Sequence, residues 1–120
     1  MTNNLIKIKN LSKDYSSNKE KICILENINF DLFEQNIVSI SGPSGSGKST
    51  FLNILGLLDS QFLGNYNFLS HNVKTLNITD KNDIRNKSIG FVHQFFHLIP
   101  ELNVLENVAL PNLIRNNNYS

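Results

Sequence analysis

The sequence is short of cysteine, of long apolar runs and of net charge, and each shortage excludes a class of protein. Cys23 is the only cysteine in 120 residues, so an internal disulfide and a cysteine zinc site are both excluded. The longest apolar stretch, Phe51–Leu58, is interrupted by Asn53 and is far shorter than the roughly 20 residues that span a bilayer. The 11 basic and 10 acidic residues are scattered and give a net charge of +1, so we expect no nucleic-acid partner.

The residues that are present suit a globular chain, with 40% hydrophobic and 18% charged residues. A length of 120 residues allows one small domain or part of a larger one. Cys23 stands between Ile22 and Ile24, and we predict that it is a small buried hydrophobe in a reducing compartment. Residues 1–10 lack the apolar core of a signal peptide, so we expect any membrane role to come through a partner protein.

Short alternating or β-branched segments predict β-strands along the first hundred or so residues. The predicted strands are Leu5–Ile8, Ile28–Leu32, Ile37–Ser41, Tyr66–Phe68 and Ile89–His93. The polar segment Ser16–Lys21 is predicted to be a loop or the tip of a hairpin. A turn is predicted at Glu34–Asn36, where Asn36 suits the left-handed backbone that tight turns require.

Helices are predicted where the spacing and the flanking residues favour them. The predicted helices are Thr50–Leu58, a segment capped by Thr79 or Asp80 and ending near Lys87, and Val104–Leu110. Pro111 is predicted to end or kink the last helix, because proline lacks the backbone N–H group that a helix requires. The polar residues after Ile114 are expected to be frayed.

The segment Gly42–Ser49 reads GPSGSGKS and matches the Walker A phosphate-loop pattern, G-x-x-x-x-G-K-[ST]. Gly45 and Gly47 lack a Cβ atom, so the backbone is able to bend closely around a phosphate and point its N–H groups inward. Lys48 supplies a full positive charge to the β- and γ-phosphate oxygens. The Ser49 hydroxyl is a ligand for Mg²⁺, and the next residue, Thr50, reaches the α-phosphate.

The neighbouring segments agree with this interpretation. A phosphate loop requires a strand before it and a helix after it, and both are predicted here. The alternative, a chance match in a flexible loop, predicts neither. We therefore predict a nucleotide site at this loop. The loop residues of this predicted site are Gly42, Pro43, Ser44, Gly45, Ser46, Gly47, Lys48, Ser49 and Thr50.

The order of further short segments resembles the nucleotide-binding subunit of ABC transporters. Tyr15 precedes the phosphate loop, Gly56–Asp59 reads GLLD, Gln94 follows IGFVH, and Leu102–Pro111 reads LNVLENVALP. The resemblance covers nearly the whole chain and implies an α/β fold of the P-loop NTPase type. It implies that residues 1–120 are the N-terminal part of the nucleotide-binding domain, with an antiparallel β-subdomain beside an incomplete parallel α/β core.

Within that family, Ser88–Ile114 is similar to the lipoprotein-releasing ATPases of the LolD group, whose kin are the macrolide-export and FtsE-type ATPases. That similarity implies a peripheral protein at the cytoplasmic face of the inner membrane. The implied partners are transmembrane subunits of the LolC and LolE type, contacting Gln94–Glu106, and a second ATPase subunit. The alternative for the apolar residues of this segment is a place in the protein core.

The resemblance also implies roles for individual residues, with ATP and Mg²⁺ as the cofactors. Tyr15 would stack on adenine, and Ser49 and Gln94 would reach Mg²⁺, with Gln94 also reaching the attacking water. The alternatives are an ordinary tyrosine at a strand end and an ordinary polar residue after a strand. His93 is interpreted as a packing position with a polar tip, and neither His93 nor His97 is expected to be catalytic.

Several family elements are absent from these 120 residues: an LSGGQ-type signature, a Walker B strand ending in Asp-Glu, a D-loop and a switch histidine. Phosphoryl transfer needs several charged groups positioned together, so we expect the chain alone to bind nucleotide without efficient hydrolysis. A non-catalytic remnant that binds nucleotide weakly is the alternative. An unrelated phosphate-loop kinase is disfavoured, because a kinase has no need of the segment around Gln94.

Overall fold

The computed structural model describes residues 2–116, which form two compact units divided between Asn77 and Ile78. Each unit is described by itself. The first contains β1 (Asn4–Ser17), β2 (Glu20–Phe33), α1 (Lys48–Leu55), β3 (Leu63–Phe68), β4 (His71–Asn72) and a 3₁₀ turn (Val73–Thr75). The second contains α2 (Ile78–Ser88) and α3 (Val104–Asn116).

The first unit is built on an antiparallel sheet with the strand order β2-β1-β3-β4. β1 and β2 form a long hairpin whose turn lies within the predicted Ser16–Lys21 segment. Side chains alternate across β1, so that Ile6 and Ile8 are buried while Lys7 and Lys9 are exposed. The predicted strands at Leu5–Ile8, Ile28–Leu32 and Tyr66–Phe68 are confirmed.

β3 approaches β1 most closely at Gly64, where the β1–β3 register shifts between Lys9 and Ser12. Gly64 has a φ of +94°, and a Cβ atom there would lie 2.3 Å from the Asn10 carbonyl oxygen. Both the backbone conformation and the close approach therefore require glycine.

Helix α1 packs on the inner face of this sheet. Phe51 and Ile54 are its buried residues, and the Phe51 ring meets Phe30 of β2 edge to face, with centroids 5.7 Å apart. The Tyr66 hydroxyl of β3 donates a hydrogen bond of 2.7 Å to the Leu55 carbonyl at the end of the helix. Burial raises the pKa of Tyr66 well above its ordinary value, so this hydroxyl keeps its proton and remains a donor.

The second unit is held by polar contacts at its helix ends. Asn103 and Glu106 form a reciprocal capping pair at the start of α3, where each side chain accepts a 2.8 Å hydrogen bond from the other's backbone N–H. The Asn86 side chain of α2 donates to the Pro111 carbonyl of α3 over 3.0 Å. Neither helix contains a fully buried residue, so both expose most of their surface in the described chain.

The strands predicted at Ile37–Ser41 and Ile89–His93 are wrong, because residues 2–116 contain no strand at either place. A strand is defined by its backbone pairing, and neither segment pairs with another described segment. In each segment an apolar side chain is left almost fully exposed: Ile37 is 100% exposed and Val92 is 97% exposed. The described sheet is thus wholly antiparallel, and the expected parallel strands are not among residues 2–116.

The helix predictions are confirmed in place and differ at their ends. Helix α2 begins at Ile78, so Thr79 and Asp80 lie inside its first turn rather than at its cap. Pro111 does not end α3, which continues to Asn116. The residues beyond Asn116, which belong to the tail expected to fray, lie outside the described residues.

Two smaller predictions are also wrong. Cys23 is exposed rather than buried, because it lies on the part of β2 that pairs with β1 near the hairpin turn, away from the buried residues of α1. The left-handed residue of the turn after β2 is Gln35, with a φ of +64°, rather than Asn36. The Asn36 N–H instead closes the turn by donating to the Phe33 carbonyl over 3.2 Å.

We predict that Gly64→Ala lowers the free energy of unfolding by at least about 2 kcal/mol, because the new methyl group collides with backbone atoms of β1 in a strained conformation. Urea unfolding followed by circular dichroism measures the change. Gly90→Ala is the matched control, since nothing lies within 4 Å of a Cβ atom there. Equal unfolding midpoints for the two variants would contradict the close approach of β3 to β1.

Candidate phosphate-binding site

The segment between β2 and α1 is shaped by two glycines in left-handed conformations. Gly45 has a φ of +78° and Gly47 a φ of +92°, backbone angles that residues other than glycine rarely adopt. The Ser46 N–H donates to the Pro43 carbonyl over 3.2 Å and closes a tight turn between them. The chain therefore curls back on itself immediately before the helix begins.

The loop is anchored on β2 at its last glycine. A Cβ atom on Gly47 would lie 2.9 Å from Leu25 Cδ2 and 3.0 Å from the Ile24 carbonyl oxygen, so only glycine permits this approach. The Gly47 carbonyl accepts the Phe51 N–H over 2.9 Å and so begins the α-helical bonding of α1. The start of α1 is thus held against β2 by its N-cap residue, Gly47.

The first turn of α1 is left open. Gly47 is its N-cap, no side chain caps the turn, and the turn contains no acidic residue. The first N–H groups of a helix have no partner within the helix, and the helix dipole adds partial positive charge at that end. An open first turn that follows a glycine loop is therefore suited to bind a phosphate.

The Lys48 ammonium group lies over the loop. It donates to the Gly42 and Pro43 carbonyl oxygens, each at 2.7 Å, and to the Ser46 hydroxyl at 3.3 Å. No carboxylate among residues 2–116 forms an ion pair with it. The loop therefore carries a full positive charge that no acidic side chain of the described chain neutralises, and an anion would compensate it.

Tyr15 lies in the same unit, near the free end of the β1–β2 hairpin, where it pairs with Ile22. Its side chain is 61% exposed, so a ring face is accessible for stacking. The neighbouring Asp14 is held by an ion pair of 2.9 Å to Lys21, which lowers the pKa of that carboxyl group. The predicted base-stacking residue thus stands on a well-paired strand.

Gln94 belongs to the second unit and is exposed in a segment without regular secondary structure. Near it, the rings of Phe91 and His93 stack with centroids 4.5 Å apart, and the His97 ring lies tilted against His93 with centroids 4.4 Å apart. Residues 2–116 hold no cluster of three or more His, Cys, Asp or Glu side chains that could hold a metal ion. Ser49 lies in the first unit and Gln94 in the second, and their side chains carry a hydroxyl and an amide oxygen, both of which are groups that coordinate Mg²⁺.

An apolar groove of about 220 Å³ lies on the second unit, within and just beyond the predicted Gln94–Glu106 surface. We call it the α3 groove; it is lined by Leu98, Ile99, Pro100, Leu102, Val104, Asn107 and Val108. The side chain of Asn107 holds the loop that forms one wall. Its amide nitrogen donates to the carbonyl oxygens of Ile99, Leu102 and Asn103, at 3.2, 3.0 and 2.9 Å, and its oxygen accepts the Ile99 N–H at 2.9 Å.

The sequence analysis missed Asn107, although ENV at 106–108 was part of the resemblance. An asparagine in a helix gives no signal by itself, because its role depends on a loop that folds back over the helix start. The expectation that the apolar residues here form a surface agrees with their exposure: Val104 is 82% and Val108 75% exposed in the described chain.

The family described as "ABC transporter" matches residues 25–119. The chain belongs to the ABC transporter family. The resemblance drawn from the phosphate loop and its neighbouring segments is therefore confirmed.

Similar curated proteins include the lipoprotein-releasing system ATP-binding protein LolD of Wigglesworthia glossinidia brevipalpis, 46% identical over 93% of this chain and 49% of its own length. The uncharacterized ABC transporter ATP-binding protein MJ0796 of Methanocaldococcus jannaschii is 49% identical over 89% of this chain and 46% of its own length. The chain spans about half the length of the curated relatives it matches.

A dimeric structure of MJ0796 in a post-hydrolysis state, bound to ADP and Pi, is similar to this fold. It has a TM-score of 0.87 and 43% identity over 96% of this chain and 50% of that chain. The predicted fold class, the N-terminal part of an ABC-type P-loop fold, is confirmed. No helix within residues 2–116 is both long and apolar enough to cross a membrane.

We predict that Asn107→Ala frees the loop over the α3 groove. Because the Ile99 N–H loses its acceptor, its hydrogen exchange should accelerate about tenfold, the factor that corresponds to a net hydrogen bond of about 1.4 kcal/mol. Exchange measured residue by residue by NMR provides the test. Asn112→Ala on the same helix should leave Ile99 unchanged, and equal exchange in both variants would show that Asn107 does not hold this loop.

Proposed function

We propose that this chain forms the N-terminal part of the nucleotide-binding domain of an ABC transporter ATPase subunit and binds Mg·ATP. The observation that carries the proposal is the phosphate loop. It combines two left-handed glycines, an uncapped helix start and a lysine charge that has no acidic partner in the described chain. The fit to a triphosphate is chemical as well as geometric, since each of these features favours an anion.

In this proposal, the residues Gly42–Thr50 hold the phosphates through backbone N–H groups, with Lys48 on the β- and γ-oxygens. Tyr15 stacks on the adenine, and the Ser49 hydroxyl and Gln94 amide oxygen are the protein ligands of Mg²⁺. When bound, Mg²⁺ neutralises phosphate charge and orients the phosphate oxygens. In this proposal the described residues of the chain bind and orient the nucleotide.

We further propose that the complete subunit energises the release of lipoproteins from the inner membrane toward the outer membrane. The support is the 46% identity with a LolD protein and the similarity of Ser88–Ile114 to that group.

The α3 groove would take part in docking LolC- or LolE-type membrane subunits, because it is apolar and accessible. A second ATPase subunit would pair with the first, as in the dimeric MJ0796 structure. Such a subunit would lie at the cytoplasmic face of the inner membrane.

A second candidate is the ATPase of a related exporter with a different cargo, such as a macrolide-export or FtsE-type complex. The support for this candidate is that relatives not named as lipoprotein-releasing proteins match as well, with 49% identity for MJ0796 and 42% for YknY of Bacillus subtilis. Binding to purified LolC/LolE-type subunits discriminates the two. Failure to bind those subunits, with nucleotide binding intact, would leave the second candidate in place.

We predict that the 120-residue chain binds Mg·ATP and that Lys48→Ala weakens binding by at least about tenfold, because charge-assisted hydrogen bonds contribute about 1.5–3 kcal/mol. Isothermal titration calorimetry measures the affinity. Lys7→Ala, at an exposed position of β1, is the matched control and should bind as the unaltered chain does.

The same preparations should show no ATP turnover above background, because the catalytic carboxylate and the signature segment are not among these residues. Phosphate release measured with and without the Lys48→Ala change provides the test. Turnover that disappears in Lys48→Ala would contradict the expectation that the chain binds without hydrolysing, and would also contradict the remnant alternative.

A further inference from the structure

Lys13 of β1 is tied to the segment that follows helix α1. Its ammonium group contacts both carboxylate oxygens of Asp59, at 3.1 and 2.9 Å, and donates to the Gln61 carbonyl oxygen at 2.6 Å. Asp59 also accepts the Gln61 N–H at 2.9 Å. The Lys13 side chain is 12% exposed and that of Asp59 is 29% exposed, so the pair is largely withdrawn from solvent.

This pair differs from the other ion pairs of the described chain. The difference lies in the lysine: the Lys21 and Lys87 side chains are 69% and 48% exposed, whereas Asp14, at 22%, is less exposed than Asp59. Lysine is rarely buried, so the 12% exposure of Lys13 is unusual. Withdrawing two charges from water costs about as much as their attraction returns, so such a pair contributes little net stability. Its main physical contribution is a fixed distance between the two segments it joins.

Those two segments carry the two halves of the predicted nucleotide site. Lys13 lies two residues before Tyr15 on the same strand, and the β1–β2 register is irregular between Lys13 and Asp14. Asp59 is bonded back onto α1, since the N–H groups of Leu58 and Asp59 both donate to the Asn53 carbonyl. The link therefore runs from the strand that bears Tyr15 to the helix whose first turn follows the phosphate loop.

We propose that Lys13 and Asp59 are positioning residues for nucleotide binding, which fix the spacing between Tyr15 and the phosphate loop. The inference rests on the proposed nucleotide function and names two residues outside its ligand set. A ligand that bridges two subsites gains from both only if their separation matches its own span. Without the link, Gly47 would still anchor the loop on β2. The connection from β1 beside Tyr15 to the far end of α1 would be lost, and with it the fixed position of Tyr15 relative to the helix.

This role predicts a selective loss. ATP uses both subsites, whereas inorganic tripolyphosphate uses the phosphate loop alone. Asp59→Asn and Lys13→Met should therefore weaken Mg·ATP binding on the order of tenfold, the share expected from one base stacked on an aromatic ring. Tripolyphosphate binding should change by less than about twofold, because the phosphate loop and Lys48 remain in place.

The experiment is calorimetric titration of the 120-residue chain and its variants with both ligands. Lys21→Met is the matched control, since it removes the exposed ion pair beside Tyr15 and should leave both affinities unchanged. Adding Tyr15→Ala to Lys13→Met should cause no further loss of ATP affinity, because both changes remove the same contribution. The exchanged pair Lys13→Asp with Asp59→Lys should recover ATP affinity relative to either single change.

Equal loss of ATP and tripolyphosphate binding would overturn the proposal, since it would assign Lys13 and Asp59 to folding of the whole unit. Independent, additive losses for Lys13→Met and Tyr15→Ala would overturn it as well. If the exchanged pair binds tripolyphosphate normally and ATP weakly, the link does not set the spacing. Failure of the unaltered chain to bind either ligand would overturn the nucleotide function, and the positioning role with it.

Discussion

Helix α1 must be held firmly against the sheet while its first turn stays open, and the first unit is organised around that constraint. Any side chain that capped the turn would occupy the N–H groups a phosphate needs. The protein meets the constraint by holding the helix elsewhere. Gly47 rests on β2, Phe51 packs against Phe30, and the Tyr66 hydroxyl holds the last carbonyl of the helix. The helix is therefore held in place while no side chain caps its first turn.

The antiparallel sheet makes this support possible. β1 lies between β2 and β3, and these two neighbours contact the helix, β2 through Phe30 and β3 through Tyr66. The close approach at Gly64 and the register shifts along β1 set the position of the neighbouring strands under the helix. The ion pair from Lys13 to Asp59 then joins the hairpin strand to the segment beyond the helix. The proposed phosphate recognition therefore depends on the sheet as well as on the loop.

The second unit relies on polar contacts made by asparagine. Asn103 caps α3, Asn107 binds the loop above it, and Asn86 reaches the carbonyl of Pro111. Asparagine side chains therefore hold this unit together. Its apolar residues remain largely exposed in the described chain, which agrees with a surface that a partner would cover.

The sequence by itself determined the phosphate loop, the family and most of the antiparallel strands. These follow from the spacing of residues over short segments and from the chemical properties of glycine, lysine and serine. It predicted strands at Ile37–Ser41 and Ile89–His93 from their apolar residues, but a strand also needs a paired neighbour, and none is present in residues 2–116. Tertiary structure alone decided the pairing of Lys13 with Asp59, the hydrogen bonds of Asn107 and the approach at Gly64. Each of these joins residues that become neighbours only when the chain folds, so their contact cannot be inferred from their spacing along the sequence.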